Sequence, residues 1–169
     1  MSGQAAAMSL RVKISFLLVP VLLLVWWVWP AGGEEGAIKG RLDDLVDLVE
    51  KSGSESTLEA AGRGRKLSEF FADGAAIEYL PGRSLRVEGE QAAGAFLQAR
   101  SMAEAISIFI MSHQVEVDES GESARSKVRA TAGVTLSGGE TESETLTHGL
   151  SWEKIEGEWR IREAEVLGE

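Results

Sequence analysis

The sequence predicts an α+β domain, a curved antiparallel sheet wrapped around about three helices, preceded by one transmembrane helix. Three observations carry this. Between positions 34 and 105 apolar residues recur mostly at helical spacing, with only two short strand-like runs. From Ile106 to the C-terminus the pattern changes to period two. Positions 14–29, ISFLLVPVLLLVWWVW, carry no charge at all. Helices first and strands last is the order of an α+β domain with its helices on one face of the sheet.

Composition narrows the function classes. The 169 residues suit one domain plus an extra segment, and 44% apolar content is enough for a core. With no cysteine, neither a disulfide framework nor a thiolate metal site can form. Two histidines, His113 and His148, cannot make a His-rich metal site, and nothing points to a cofactor. The formal net charge is −10. Arg11 and Lys13 are the only charges before Glu34, so the remainder is more acidic still. Such a domain repels phosphate backbones, which excludes nucleic acid as the expected partner.

The N-terminal segment follows. Residues 1–11 read as a cytoplasmic tail and 12–31 as a transmembrane anchor or signal peptide. Basic residues before an apolar run set the N-terminus inside and the C-terminal domain outside. Trp26, Trp27 and Trp29 stand where an interfacial aromatic belt would lie, which favours a single-pass anchor. The alternative is a secreted or periplasmic protein cleaved near Gly33, where Ala31-Gly32-Gly33 offers small residues. Residues 32–36 read as a linker and 37–169 as the folded domain.

Within that domain, Ile38, Leu42, Leu45, Val46 and Val49 place a first helix over 34–51. A second spans about 57–72, weakened by Gly62 and Gly64, and Asp73-Gly74 ends it as a turn. Short strands at 75–80 and 84–89 flank Pro81-Gly82, and a third helix covers 90–105. Four long strands close the chain, at 106–117, 124–136, 143–155 and 158–166. On the second of these Ala124, Val128, Ala130, Ala132 and Val134 share one face, and Arg125, Lys127 and Arg129 the other. That basic stripe is expected to pair with Glu142, Glu144 and Glu153 on the next strand. Glu156-Gly157 joins the last two strands in a tight hairpin flanked by Trp152 and Trp159.

Three stretches carry a family resemblance: FFADGAAIEYL (70–80), VEGEQAAGAFL (87–97) and WEKIEGEWRIR (152–162). Their order and spacing resemble the nuclear transport factor 2-like superfamily, which includes ketosteroid isomerases, scytalone dehydratases and polyketide cyclase-like (SnoaL-like) proteins. The resemblance covers about positions 36–167. It implies a cystatin-like cone, with a pocket at the wide end of the sheet. The superfamily hosts enzymes, ligand carriers and interaction modules, so it leaves function open.

The candidate pocket residues are Tyr79, Phe109, Met111, His113, Ala130, Ala132, His148 and Trp152. Strict alternation puts Phe109, Met111 and His113 on one face of their strand, and His148 with Trp152 on theirs. In an apolar pocket either histidine would suit acid–base work near neutral pH. The resemblance makes Tyr79, the one tyrosine, a pocket candidate, since family enzymes often use a tyrosine hydroxyl to polarise a carbonyl. Each has a plainer reading: a hydrogen-bonded core or rim histidine, and an amphipathic core tyrosine. Asp73 reads as a turn residue. The ketosteroid isomerase carboxylates find no counterpart, since the cavity-facing strands show no aspartate in the apolar register. The sequence therefore leans to a non-catalytic module that binds a small apolar ligand or a protein partner near the membrane. The alternative is a small isomerase or dehydratase using His113, His148 and Tyr79, with the two imidazoles within one water of each other. A homodimer is a further possibility. Family members often pair through the outer sheet face, although the basic stripe makes that face a poor apolar interface here.

Overall fold

The computed structural model describes residues 32–168 apart from Pro81 and Glu88, and leaves the side chains of 79, 80 and 89–92 undescribed. The apolar run at 14–29 lies outside the described residues. Among those residues no helix is long and apolar enough to cross a membrane.

Three helices and a 7-stranded sheet build the domain. In chain order they are α1 (Gly33–Val49), β1 (Lys51–Ser52), α2 (Thr57–Leu67), β2 (Phe71–Leu80), β3 (Arg83–Val87) and α3 (Gly89–Met102). The long strands β4 (Ala103–Val117), β5 (Ser123–Leu136), β6 (Thr141–Ile155) and β7 (Glu158–Gly168) follow. The sheet order is β1-β4-β5-β6-β7-β2-β3. All pairings are antiparallel except β2 with β7, which is parallel.

The α1 helix starts at Gly33, inside the stretch read from sequence as a linker. Glu34 and Glu35 sit in its first turn, where the helix dipole favours acids. Glu34 also ties that turn to the last hairpin: Lys154 Nζ and the Trp159 indole N–H donate to its carboxylate at 2.6 and 2.8 Å. Ile38 and Leu42 carry α1 into a core with Ala124, Val128, Leu150, Trp152, Trp159 and Ile161. The start of α2 is fixed by a Ser56/Glu59 capping box. Its Gly64 is explained by packing, since a Cβ there would lie 3.4 Å from the Leu97 side chain of α3.

The second helix ends earlier than its apolar tail suggests. A 3-10 turn, Ser68–Phe70, follows α2, and the chain is already strand at Phe71. Asp73-Gly74 is therefore an irregularity inside β2 and not a helix stop. Gly74 has φ +70°, and the pairing of β2 with β7 shifts register between Phe71 and Ala76. The two-residue loop Glu156-Gly157 closes β6 and β7 as expected, with φ 54° and 87°.

Candidate functional site

The inner face of β5 and β6 changes character along its length. At one end Ala124, Ser126, Val128, Leu150 and Trp152 are buried. Further along, Ala130, Leu146 and His148 are half-buried, and beyond them Ala132 and Glu144 are exposed. Side chains on one face of a strand alternate with those on the other, so these residues form one continuous surface. It is dry under α1 and opens toward the β5–β6 turn.

Both histidines lie on this surface in a single cross-strand row. The register runs His113↔Val128↔His148↔Val166 across β4, β5, β6 and β7. Two strand spacings separate the imidazoles, roughly 10 Å. They share a face, yet they are too far apart for one water to bridge.

Their surroundings differ. His113 is covered by α1, with Lys39 and Asp43 as its charged neighbours, and its Nε2 is buried without a hydrogen-bond partner. Burial holds its pKa below the ordinary value of 6.5, Lys39 pushes it further down, and Asp43 partly offsets this. Burial also lowers the His148 pKa, and the charge on Glu78 opposes that shift. Glu78 is fixed at the β2–β7 seam. Its carboxylate accepts from the Val166 N–H at 3.0 Å and the Gly82 N–H at 2.5 Å, and these bonds hold its pKa low. The arrangement at the open end is thus a neutral imidazole beside an ionised carboxylate, on an apolar floor of Ala130, Leu146 and Val166.

Several sequence expectations require correction. A bulge between Ile110 and Ser112 breaks the alternation on β4. It leaves Ile108, Ile110 and His113 facing inward, opposite Ala132, Ala130 and Val128. Phe109, opposite Thr131, and Met111, whose sulfur accepts from the Thr131 hydroxyl, lie on the outer face, 69% and 54% exposed. Trp152 is core and not pocket: it is 2% exposed, and its indole N–H donates to Ser126 Oγ at 2.8 Å. Tyr79 lies on β2, with its side chain outside the description. The basic stripe does not pair as expected. Arg125, Lys127 and Arg129 sit opposite Ser151, Gly149 and Thr147, whereas Glu142 and Glu144 oppose Val134 and Ala132 on the other face. Glu153 bonds to Arg162 at 2.9 Å.

Two features escaped the sequence reading. One is Glu78, which only the parallel β2–β7 pairing brings near His148. The other is Arg100 at the end of α3, 3% exposed. Its guanidinium donates to Glu55 at 2.7 and 3.2 Å and to the carbonyls of Val49 and Glu50, capping the C-terminus of α1. This group lines an open cleft of about 660 Å³, but its donors are already engaged within the protein. No group of three or more His, Asp or Glu residues that could hold a metal occurs among the described residues.

With its curved sheet and row of inward side chains, this architecture defines a class of protein, the cystatin-like cone. The profile of the SnoaL-like domain family matches residues 60–165, and the chain belongs to that family. Solved structures agree at the level of fold. A nuclear transport factor 2-like superfamily protein from Salmonella enterica is 15% identical, with a TM-score of 0.62, over 80% of this chain and 90% of that one. An NTF2-like protein with a cystatin-like fold from Novosphingobium aromaticivorans is 15% identical, with a TM-score of 0.59, over 97% of this chain and 90% of that one. A hexachlorocyclohexane dehydrochlorinase is 14% identical, with a TM-score of 0.59, over 78% of this chain and 82% of that one. No curated protein sequence matches the chain significantly.

Proposed function

We propose that the chain is a membrane-anchored extracytoplasmic domain that binds a small apolar ligand on the open part of its concave face. The observation that carries this reading is the gradient from buried Val128 and Leu150, through half-buried Ala130, Leu146 and His148, to exposed Ala132. Apolar side chains that remain half-exposed on a concave surface are what such a ligand would cover. His148 and Glu78 supply polar contacts at its edge. The anchor is the uncharged run at 14–29, with Arg11 and Lys13 on the inner side.

The test uses the full chain in non-ionic detergent with a neutral apolar fluorophore, N-phenyl-1-naphthylamine. Saturable binding that Ala132→Trp weakens at least tenfold is expected. Binding that ignores Ala132→Trp would overturn the reading. Mass spectrometry of small molecules released from the natively expressed protein would then identify the class of ligand.

A second reading is an enzyme, and a specific observation favours it. His148 is held neutral beside the Glu78 carboxylate, which suits a general base. Dehydrochlorination, which the name of one structural neighbour gives, removes a proton and a chloride ion from its substrate, and a base takes the proton. In this reading His148 acts alone, because His113 is two strands away under α1. Turnover of a bound ligand that survives His148→Gln undiminished would remove it.

A further inference from the structure

The sheet has an open edge along the second half of β4. On that side β1 pairs only with Ala105 and Ile106 of the 15-residue strand. The Ile108 N–H, next along, is capped by the Glu50 carboxylate at 2.9 Å. Beyond it, among the described residues, no hydrogen bond reaches the free edge of β4. The register identifies the backbone groups left there. The Ile108 N–H points to the free edge, and its β5 partner is Ala132. Residues whose β5 partners keep that parity point the same way: His113 opposite Val128, Val115 opposite Ser126 and Val117 opposite Ala124. The turn agrees, since the next residue, Asp118, bonds inward, its N–H donating to the Ser123 carbonyl at 3.0 Å. Edge strands ordinarily guard themselves with lysine, proline or a bulge. The bulge of β4 lies at Met111, but the stretch Ser112–Val117, about 20 Å of strand, carries no lysine and no proline.

On the concave side α1 runs alongside this edge. Glu50 reaches Ile108, and Lys39 and Asp43 are the charged neighbours of His113. Glu35, Lys39, Asp43 and Asp47 recur at every fourth position and so follow one ridge of the helix. From β4 itself Glu116 projects beside the edge, and Glu119 stands in the turn below. None of these acids has an ion-pair partner among the described residues, and Lys39 is the one base on the ridge. The outer side differs. Exposed Phe109 and Met111 lie there, with Arg125, Lys127 and Arg129 one strand further in. Charge therefore selects the occupant: basic side chains suit the side facing α1, and apolar ones the outer side. A second copy of β4 is a poorer occupant, because it would set one acidic ridge beside another.

We infer that the β4 edge from Ser112 to Val117 is a docking site for an extended basic peptide, which adds to the sheet as a further strand beside α1. His113, Val115 and Val117 each offer an N–H and a C=O, so main-chain bonds supply affinity and the acidic ridge supplies selectivity. This site is separate from the ligand surface proposed on the concave face, since it follows the edge strand toward the closed end, away from Ala132. Because the Val115 N–H points out of the sheet, a proline there removes a donor that the fold itself does not use.

The test uses the full chain in non-ionic detergent and a fluorescent octapeptide of alternating lysine and valine. Saturable binding is expected at sub-millimolar concentration, at least about tenfold tighter than for the matching glutamate–valine peptide. The amides of His113, Val115 and Val117 should exchange freely in the protein alone and become protected when the peptide binds. Val115→Pro should weaken binding at least about tenfold while the melting temperature stays near that of the wild type. Asp43→Lys combined with Asp47→Lys should reverse the preference between the two peptides. Absence of saturable binding, equal binding of the two peptides, or binding indifferent to Val115→Pro would each overturn the inference. So would protection of the three amides before peptide is added, which would mean that a second copy or the N-terminal run already fills the edge. Should Val115→Pro fold poorly, the same bonds can be removed from the peptide. N-methylation of one alternate set of its residues should abolish binding and of the other set spare it, and equal effects of the two sets would sink the proposal.

Discussion

At the scale of single residues, His113 is an anomaly: a buried ring nitrogen with no partner among the described residues, in an otherwise apolar layer beneath α1. An unsatisfied buried polar atom usually costs about 1–3 kcal/mol. His113→Leu should therefore raise stability by about 1 kcal/mol, read as the urea midpoint at neutral pH. The pH dependence has a definite sign. The folded-state pKa lies below 6.5, so near and below that value the unfolded chain binds more protons than the native one. The domain keeps this stability above pH 6.5 and loses it as pH falls through the window beneath. His113→Leu should flatten that acid limb, and equal slopes in wild type and variant would refute the assignment. Alternation alone put His113 and His148 on the inner face, and the structure has them there. It also put Phe109 and Met111 beside His113, because a bulge leaves no mark in the side-chain pattern. One extra residue at Met111 reverses every face assignment on one side of it.

At the scale of elements, the last hairpin was legible because Glu-Gly between two alternating runs leaves few alternatives. Its turn is not optimal. Glu156 adopts a left-handed φ of 54°, which asparagine tolerates better than glutamate. Glu156→Asn should stabilise the domain by about 0.5–1 kcal/mol, a rise in melting temperature of about 2–4 °C. The Arg100 network was not legible, since an arginine in the last turn of a helix ordinarily signals only the helix dipole. Here β1 and the end of α1 close over it. Arg100→Met would strand Glu55 and uncap Val49 and Glu50, although Arg63 stays bonded to Glu55 at 3.0 Å. A loss of about 3 kcal/mol is expected in chemical denaturation. The bond to Arg100 is the main reason the Glu55 carboxyl lies below its ordinary pKa of 4.5. It contributes stability that is full above that value and lost as pH falls, so the variant should also be less sensitive to acid. Wild-type stability in Arg100→Met would show that the network is dispensable.

At the scale of the whole molecule, the proposed anchor would set which way the cone faces, because the apolar run leads into α1. Only four residues, 30–33, separate Trp29 at the end of the apolar run from Glu34, roughly 13 Å when extended. Glu34 is bonded to Lys154 and Trp159 beside the β6–β7 turn, and the β4–β5 turn lies at the same end, where the Lys154 N–H donates to the Glu122 carbonyl. The open part of the concave face, from His148 and Ala130 to Ala132, lies toward the other end, by the β5–β6 turn, about 20–30 Å along the strands from that point. If the run at 14–29 spans a bilayer, the closed end of the cone must sit against the membrane with the mouth directed into the aqueous phase. A ligand would then enter from solution and not by lateral diffusion out of the lipid. The chain has no cysteine, so single labels can be placed cleanly. In vesicles bearing a headgroup quencher, a fluorophore on Glu156→Cys should be strongly quenched and one on Glu140→Cys hardly at all. Equal quenching at the two positions would mean that the domain is not held by its closed end, and the argument for entry from solution would fall with it.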